Sequence, residues 1–134
     1  MTEKQFLREG RNLRQRIRDA EARMQRAQAS AREAEGLSPD AAQAWRAMAE
    51  DYAREVEGLR EWMRTFHDVE RRIQETRYRD VLKYVWLDGF SLVKAARRMG
   101  YSYEHTKRLH RQAVRLFGKI YQQVSASCRQ VTGK

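Results

Sequence analysis

Hydrophobic and small residues in the first half of the chain recur at alternating steps of three and four. Phe6, Gly10, Leu13, Ile17, Ala20, Met24, Ala27, Ala31 and Ala34 form one such series, set in a background of Arg, Gln and Glu. That spacing keeps one seam of a helix turned toward a partner helix. Gly36 then predicts a left-handed helix stop, Ser38 a side-chain cap, and Pro39 the first residue of a new helix, where its missing N–H leaves no bond unmade. The series resumes with Ala42, Trp45, Ala49, Tyr52, Val56, Leu59, Met63, Phe66, Glu70 and Ile73. Two arms of similar length around a short turn predict an antiparallel hairpin. Its layers would pair Ala31 with Trp45, Met24 with Tyr52, Ile17 with Leu59, Leu13 with Met63 and Gly10 with Phe66. Met48, Trp62 and Val69 add a second stripe at seven-residue spacing, more than one partner helix covers. It points either to self-association of hairpins, the favoured reading, or to docking of the chain's own basic C-terminal domain on their base.

Beyond residue 75 the periods shorten. Tyr78, Val81, Leu82 and Val85 mark a short helix ending at Gly89. Ser91 caps a second, with Leu92, Ala95, Ala96 and Met99 inward, which ends at Gly100. Ser102 caps a third, residues 103–117, in which Thr106, Leu109, Ala113 and Phe117 share one face. The three-residue link of Gly100, Tyr101 and Ser102 has the length of a helix-turn-helix corner. The expected fold is therefore all-α: a helical hairpin for oligomerisation over 1–75, a small helix-turn-helix domain over 76–120, and a tail over 121–134. One proline and seven glycines among 134 residues agree with a helical chain.

Charge divides the chain in the same place. Residues 1–36 carry nine basic and six acidic side chains, residues 37–75 six and nine, and residues 76–134 thirteen and three. The arms cancel, so the net charge of +10 lies wholly in the last segment. A concentrated basic module implies a polyanionic partner. On the third helix, at 100° per residue, Glu104, Arg108, Arg111 and Arg115 point away from the apolar face, with Lys107 beside them. Arginine bridges guanine O6 and N7 or pairs with phosphate, and a carboxylate near the start of such a helix accepts from cytosine N4. The apolar face is committed to a core, which argues against a membrane surface as partner.

The stretch from Val81 to Ser91, followed by Ala95 to Ser102 and Lys107 to Ala113, resembles the sigma-factor domain that reads the upstream promoter hexamer. It is still more similar to the sigma-like domain of the ArpU/RinA group of phage late transcription regulators, in which a helical segment also precedes the reader. The resemblance covers about residues 78–117. It implies that Ser102, Tyr103, Glu104, Lys107, Arg108 and Arg111 meet DNA, and RNA polymerase is a further partner it brings in. Arg115 joins them from the helix face, and Lys94 and Arg97 from the helix that crosses the backbone. Ala95 and Thr106 are departures from the family pattern that thin a small core. The function expected is sequence-specific binding of double-stranded DNA by a phage or prophage transcription regulator acting as a homo-oligomer. The alternative is the DNA-recognition small subunit of a phage packaging terminase, in which, however, the reader comes first and the hairpin later.

No catalytic residue, metal site or cofactor is expected. His67, His105 and His110 form no i, i+4 pair, and neither a phosphate-cradling glycine loop nor a nucleophile elbow is present. His110 reads as a phosphate contact or plain surface. A single cysteine, Cys128, suits a reducing compartment, and the absence of an apolar leader or a long apolar run leads to the bacterial host cytoplasm as the expected location.

Overall fold

The computed structural model describes the backbone of residues 2–132 and the side chains of residues 2–126; the Cys128 side chain lies outside them. The described chain is all-helical: α1 (Glu3–Glu9), α2 (Leu13–Ala34), α3 (Pro39–Glu70), α4 (Thr76–Leu82), a π turn (Lys83–Leu87), α5 (Leu92–Met99) and α6 (Tyr103–Thr132). Among the described residues, no helix is long and apolar enough to cross a membrane.

Two compact units form, and their limits differ from those the charge pattern suggests. One is residues 14–62; the other joins residues 1–13 to residues 63–134. The helix-turn-helix segment thus shares a unit with both ends of the expected hairpin, and α6 runs on to Thr132 where a helix ending at 117 and a tail from 121 were expected.

In the 14–62 unit the seam is lined mostly by alanine. Ala20, Ala27, Ala31, Ala42 and Ala49 are buried with Val56 and Leu59. Such a seam has no room for an indole, and Trp45, expected there, is 37% exposed. The antiparallel register is visible in two ion pairs across the arms, Arg46–Glu35 at 3.1 Å and Arg60–Glu21 at 3.0 Å. The turn between them is not closed by a left-handed glycine: Gly36 lies outside that region. Ser38 N–H donates to Ala34 O at 2.8 Å instead, while the Ser38 hydroxyl caps α3 by accepting from Ala41 N–H at 3.2 Å.

The other unit begins with a capping box, in which Gln5 N–H donates to Thr2 Oγ1 and Thr2 N–H to Gln5 Oε1. The first arm is not continuous. It breaks over Gly10–Asn12, where glycine's helix propensity is low and Asn12 takes a left-handed φ of 60°. Asn12 N–H then donates to Trp86 O at 2.8 Å, satisfying a carbonyl at the end of the π turn. Phe117 of α6 is the centre of an aromatic cluster: its ring lies 5.4 Å from Phe66, 6.1 Å from Phe6 and 6.3 Å from Tyr121. Leu7, Leu13, Val69, Ile73, Val81, Leu82 and Leu87 are fully buried alongside. Val69, expected in an outer stripe, is core here.

Candidate nucleic-acid interface

Each corner of the helix-turn-helix has a stereochemical cause. Ser91 Oγ accepts from Lys94 N–H at 3.2 Å and starts α5. Gly100, at φ 73° and ψ 27°, ends it. The chain reverses through Tyr101 N–H to Ala96 O at 3.1 Å, the closure that left-handed glycine permits at a helix end. Ser102 Oγ accepts from His105 N–H at 3.1 Å and starts α6, leaving its own O–H proton available as a donor. Thr106 is fully buried, yet its hydroxyl donates to Ser102 O at 2.9 Å, so the polar atom at this departure from the family pattern is satisfied. Tyr78 O–H donates to Gln112 Oε1 at 3.0 Å and ties α4 to α6.

This frame buries Thr106, Leu109, Ala113 and Phe117 and turns the opposite face of α6 outward. All nine residues expected to meet DNA are exposed: Lys94 and Arg97 on α5, Ser102 at the corner, and Tyr103, Glu104, Lys107, Arg108, Arg111 and Arg115 on α6. Arg108, Arg111 and Arg115 follow one another at steps of three and four, so they form one row. Among the described residues, none of the six cations in this set forms a salt bridge with a carboxylate, whereas Arg46, Arg60, Arg71 and Arg77 do. No ion pair among the described residues therefore neutralises them.

Three features escape sequence reading. His110 is not on the cationic surface: its Nε2 is buried with no partner, its ring stacks on Trp86 at 6.0 Å, and burial, then the nearby Arg11, lowers its pKa. Arg11 itself lies 6.0 Å over the Trp86 ring. Arg77, at the start of α4, is bound to Glu75 at 3.0 Å, which raises its pKa and removes it from the free cations. Phe90, just before α5, carries Lys94 Nζ 4.1 Å and Arg98 Cζ 5.7 Å from its ring centroid. Aromatic residues at such points leave no periodic trace, so only the folded corner reveals them.

Residues 75–116 match the family model of sigma-70 region 4. The match starts at the N-cap of α4 and ends within α6, and its helix-turn-helix is a DNA-binding one. No curated protein and no solved structure matches the chain. The compact unit is larger than the matched segment, since α1, the end of α3 and the second half of α6 pack into the same core.

Proposed function

We propose that the protein is a sequence-specific regulator of transcription, phage or prophage encoded, that reads duplex DNA through the major groove with the first half of α6. The observation that carries this reading is the row of Arg108, Arg111 and Arg115, exposed and free of carboxylate partners on a helix whose other face is locked into the core. Arg108 and Arg111 reach base edges; Ser102, Tyr103 and Lys107 flank them; Lys94 and Arg97 meet phosphates; Glu104 selects against bases that cannot donate to it. The protein works as a homo-oligomer joined through residues 14–62, where Met48 and Trp45 are 41% and 37% exposed. It acts without catalysis, cofactor or metal, in the host cytoplasm, and contacts RNA polymerase as sigma-like domains do. The experiment is footprinting on genomic DNA around its own gene, with sedimentation of the free protein. A protected promoter segment and a dimer support the regulator. A ring-sized oligomer protecting no promoter moves the reading to a packaging terminase.

A further inference from the structure

The corner between the π turn and α5 is built around one ring. A π turn shifts the helix by one residue relative to an α-helix. Asp88 N–H donates to Lys83 O at 3.0 Å and Phe90 N–H to Tyr84 O at 2.9 Å, which fold the chain back sharply. Gly89 permits this with φ 70°, and a Cβ there would meet Asn12 atoms at 3.0 Å. The outcome is that the Phe90 and Tyr84 rings stack at 5.7 Å with only 6° between their planes. Lys94 Nζ and Arg98 Cζ then approach Phe90 at 4.1 and 5.7 Å. Both cations are exposed, and among the described residues neither pairs with a carboxylate. Lys94 stands in the first turn of α5, where the positive end of the helix repels an ammonium. A ring face compensates for that repulsion without neutralising the charge, and it leaves the outward N–H groups free for an anion.

We propose that Phe90, backed by Tyr84, is a positioning residue that holds Lys94 and Arg98 as a two-pronged clamp for the phosphates of duplex DNA. The inference rests on the reading of α6 as a DNA-binding helix and adds Arg98, Phe90 and Tyr84 to it. The clamp fixes where the backbone lies against α5, and it is indifferent to base sequence because it touches only phosphate.

The test is binding of the full chain to sonicated mixed-sequence duplex DNA across a salt series, with a thermal melt of each variant. Phe90→Leu keeps an apolar side chain of similar bulk but removes the ring. It should weaken binding at least about 5-fold, the loss expected when two long side chains must be ordered on binding. The salt slope should flatten by roughly one. Phe90→Tyr should restore both. In a background carrying Lys94→Ala and Arg98→Ala, Phe90→Leu should change nothing further. Equal weakening by Phe90→Leu in both backgrounds, or no weakening in the native one, overturns the clamp while leaving the DNA-binding reading intact. Failure of the unaltered protein to bind duplex overturns that reading, and the clamp with it.

Discussion

In the 14–62 unit, Arg46 and Arg60 each reach a glutamate on the other arm, and the two pairs are separated by two heptads along each arm. On α6, Lys107, Arg108, Arg111 and Arg115 are as exposed and reach no carboxylate among the described residues. One residue type thus serves two ends. Where carboxylates are interleaved, the guanidinium sets register and contributes little stability, since exposed ion pairs are worth about 0.2 to 1 kcal/mol. Where carboxylates are withheld, the same group keeps its field for a partner. The cores differ in parallel: an alanine seam closes one unit, and an aromatic cluster around Phe117 closes the other.

The largest effect should come from that second contrast. Phe117→Ala removes the ring shared by Phe6, Phe66 and Tyr121 and should destabilise the fold by about 3 to 5 kcal/mol. Leu59→Ala, at a position already 9% exposed, should cost about 2 to 3 kcal/mol. Arg60→Ala should cost less than roughly 0.5 kcal/mol. Urea unfolding of the three variants ranks them. Equal losses at Leu59 and Arg60 would mean that the alanine-lined seam is misassigned.

Next in size are the arginines themselves. Arg108→Ala and Arg111→Ala should each lose about 1 to 3 kcal/mol on a cognate duplex and blur one base preference. Lys94→Ala and Arg97→Ala should weaken all duplexes alike. Arg46→Ala and Arg60→Ala should leave binding unchanged. Glu104→Ala should strengthen binding to scrambled DNA while selectivity falls. Titrations of cognate and scrambled duplexes at several salt concentrations check the set. If Arg60→Ala weakens binding as much as Arg108→Ala, charge alone matters and the comparison between the two units collapses.

What could be read in advance follows from how local the cause is. The helix-turn-helix corner was legible because Ser91, Gly100 and Ser102 act within a few residues of themselves, and the outward row on α6 because it follows from 100° per residue. The break at Gly10–Asn12 was not. Phe6 and Leu13, seven apart, are both buried with a kink between them, so the period does not reveal it. Nor does a period name the partner: Phe66 and Ile73, seven apart, keep the heptad of the second arm, yet they serve the core of the unit that holds the helix-turn-helix. At Gly36 composition marks a turn without fixing which backbone bonds close it, and the chain closes there through Ser38 N–H to Ala34 O without a left-handed glycine.

That last point yields a smaller effect. Gly89 and Gly36 both sit in turns, but only Gly89 has a left-handed φ and a neighbour 3.0 Å from a would-be Cβ; around Gly36 nothing lies within 4 Å. Gly89→Ala should cost roughly 1 to 2 kcal/mol. Gly36→Ala should be neutral or stabilise by up to about 1 kcal/mol, through the unfolded chain. Thermal melts of the pair distinguish them. Similar losses at both sites would show that the corner before α5 is no more constrained than the tip of the hairpin.

The smallest change expected is in pH dependence and belongs to one imidazole. His110 is folded against Trp86 with Arg11 nearby, and burial first, then that cation, holds its pKa below the ordinary 6.5. A histidine whose folded pKa is lowered takes up its proton more readily when unfolded. Its contribution to stability is complete above about pH 7 and is lost as pH falls below roughly 6.5 toward the folded pKa. His110→Phe keeps a ring on Trp86 and cannot titrate. The stability of the native protein minus that of the variant, followed by urea unfolding through this window, should fall as pH falls and level off above about pH 7. Carboxylates and the other histidines cancel in that difference. A difference that stays flat with pH would mean that His110 ionises alike in both states, and that the ring is open to water where the fold places it inside.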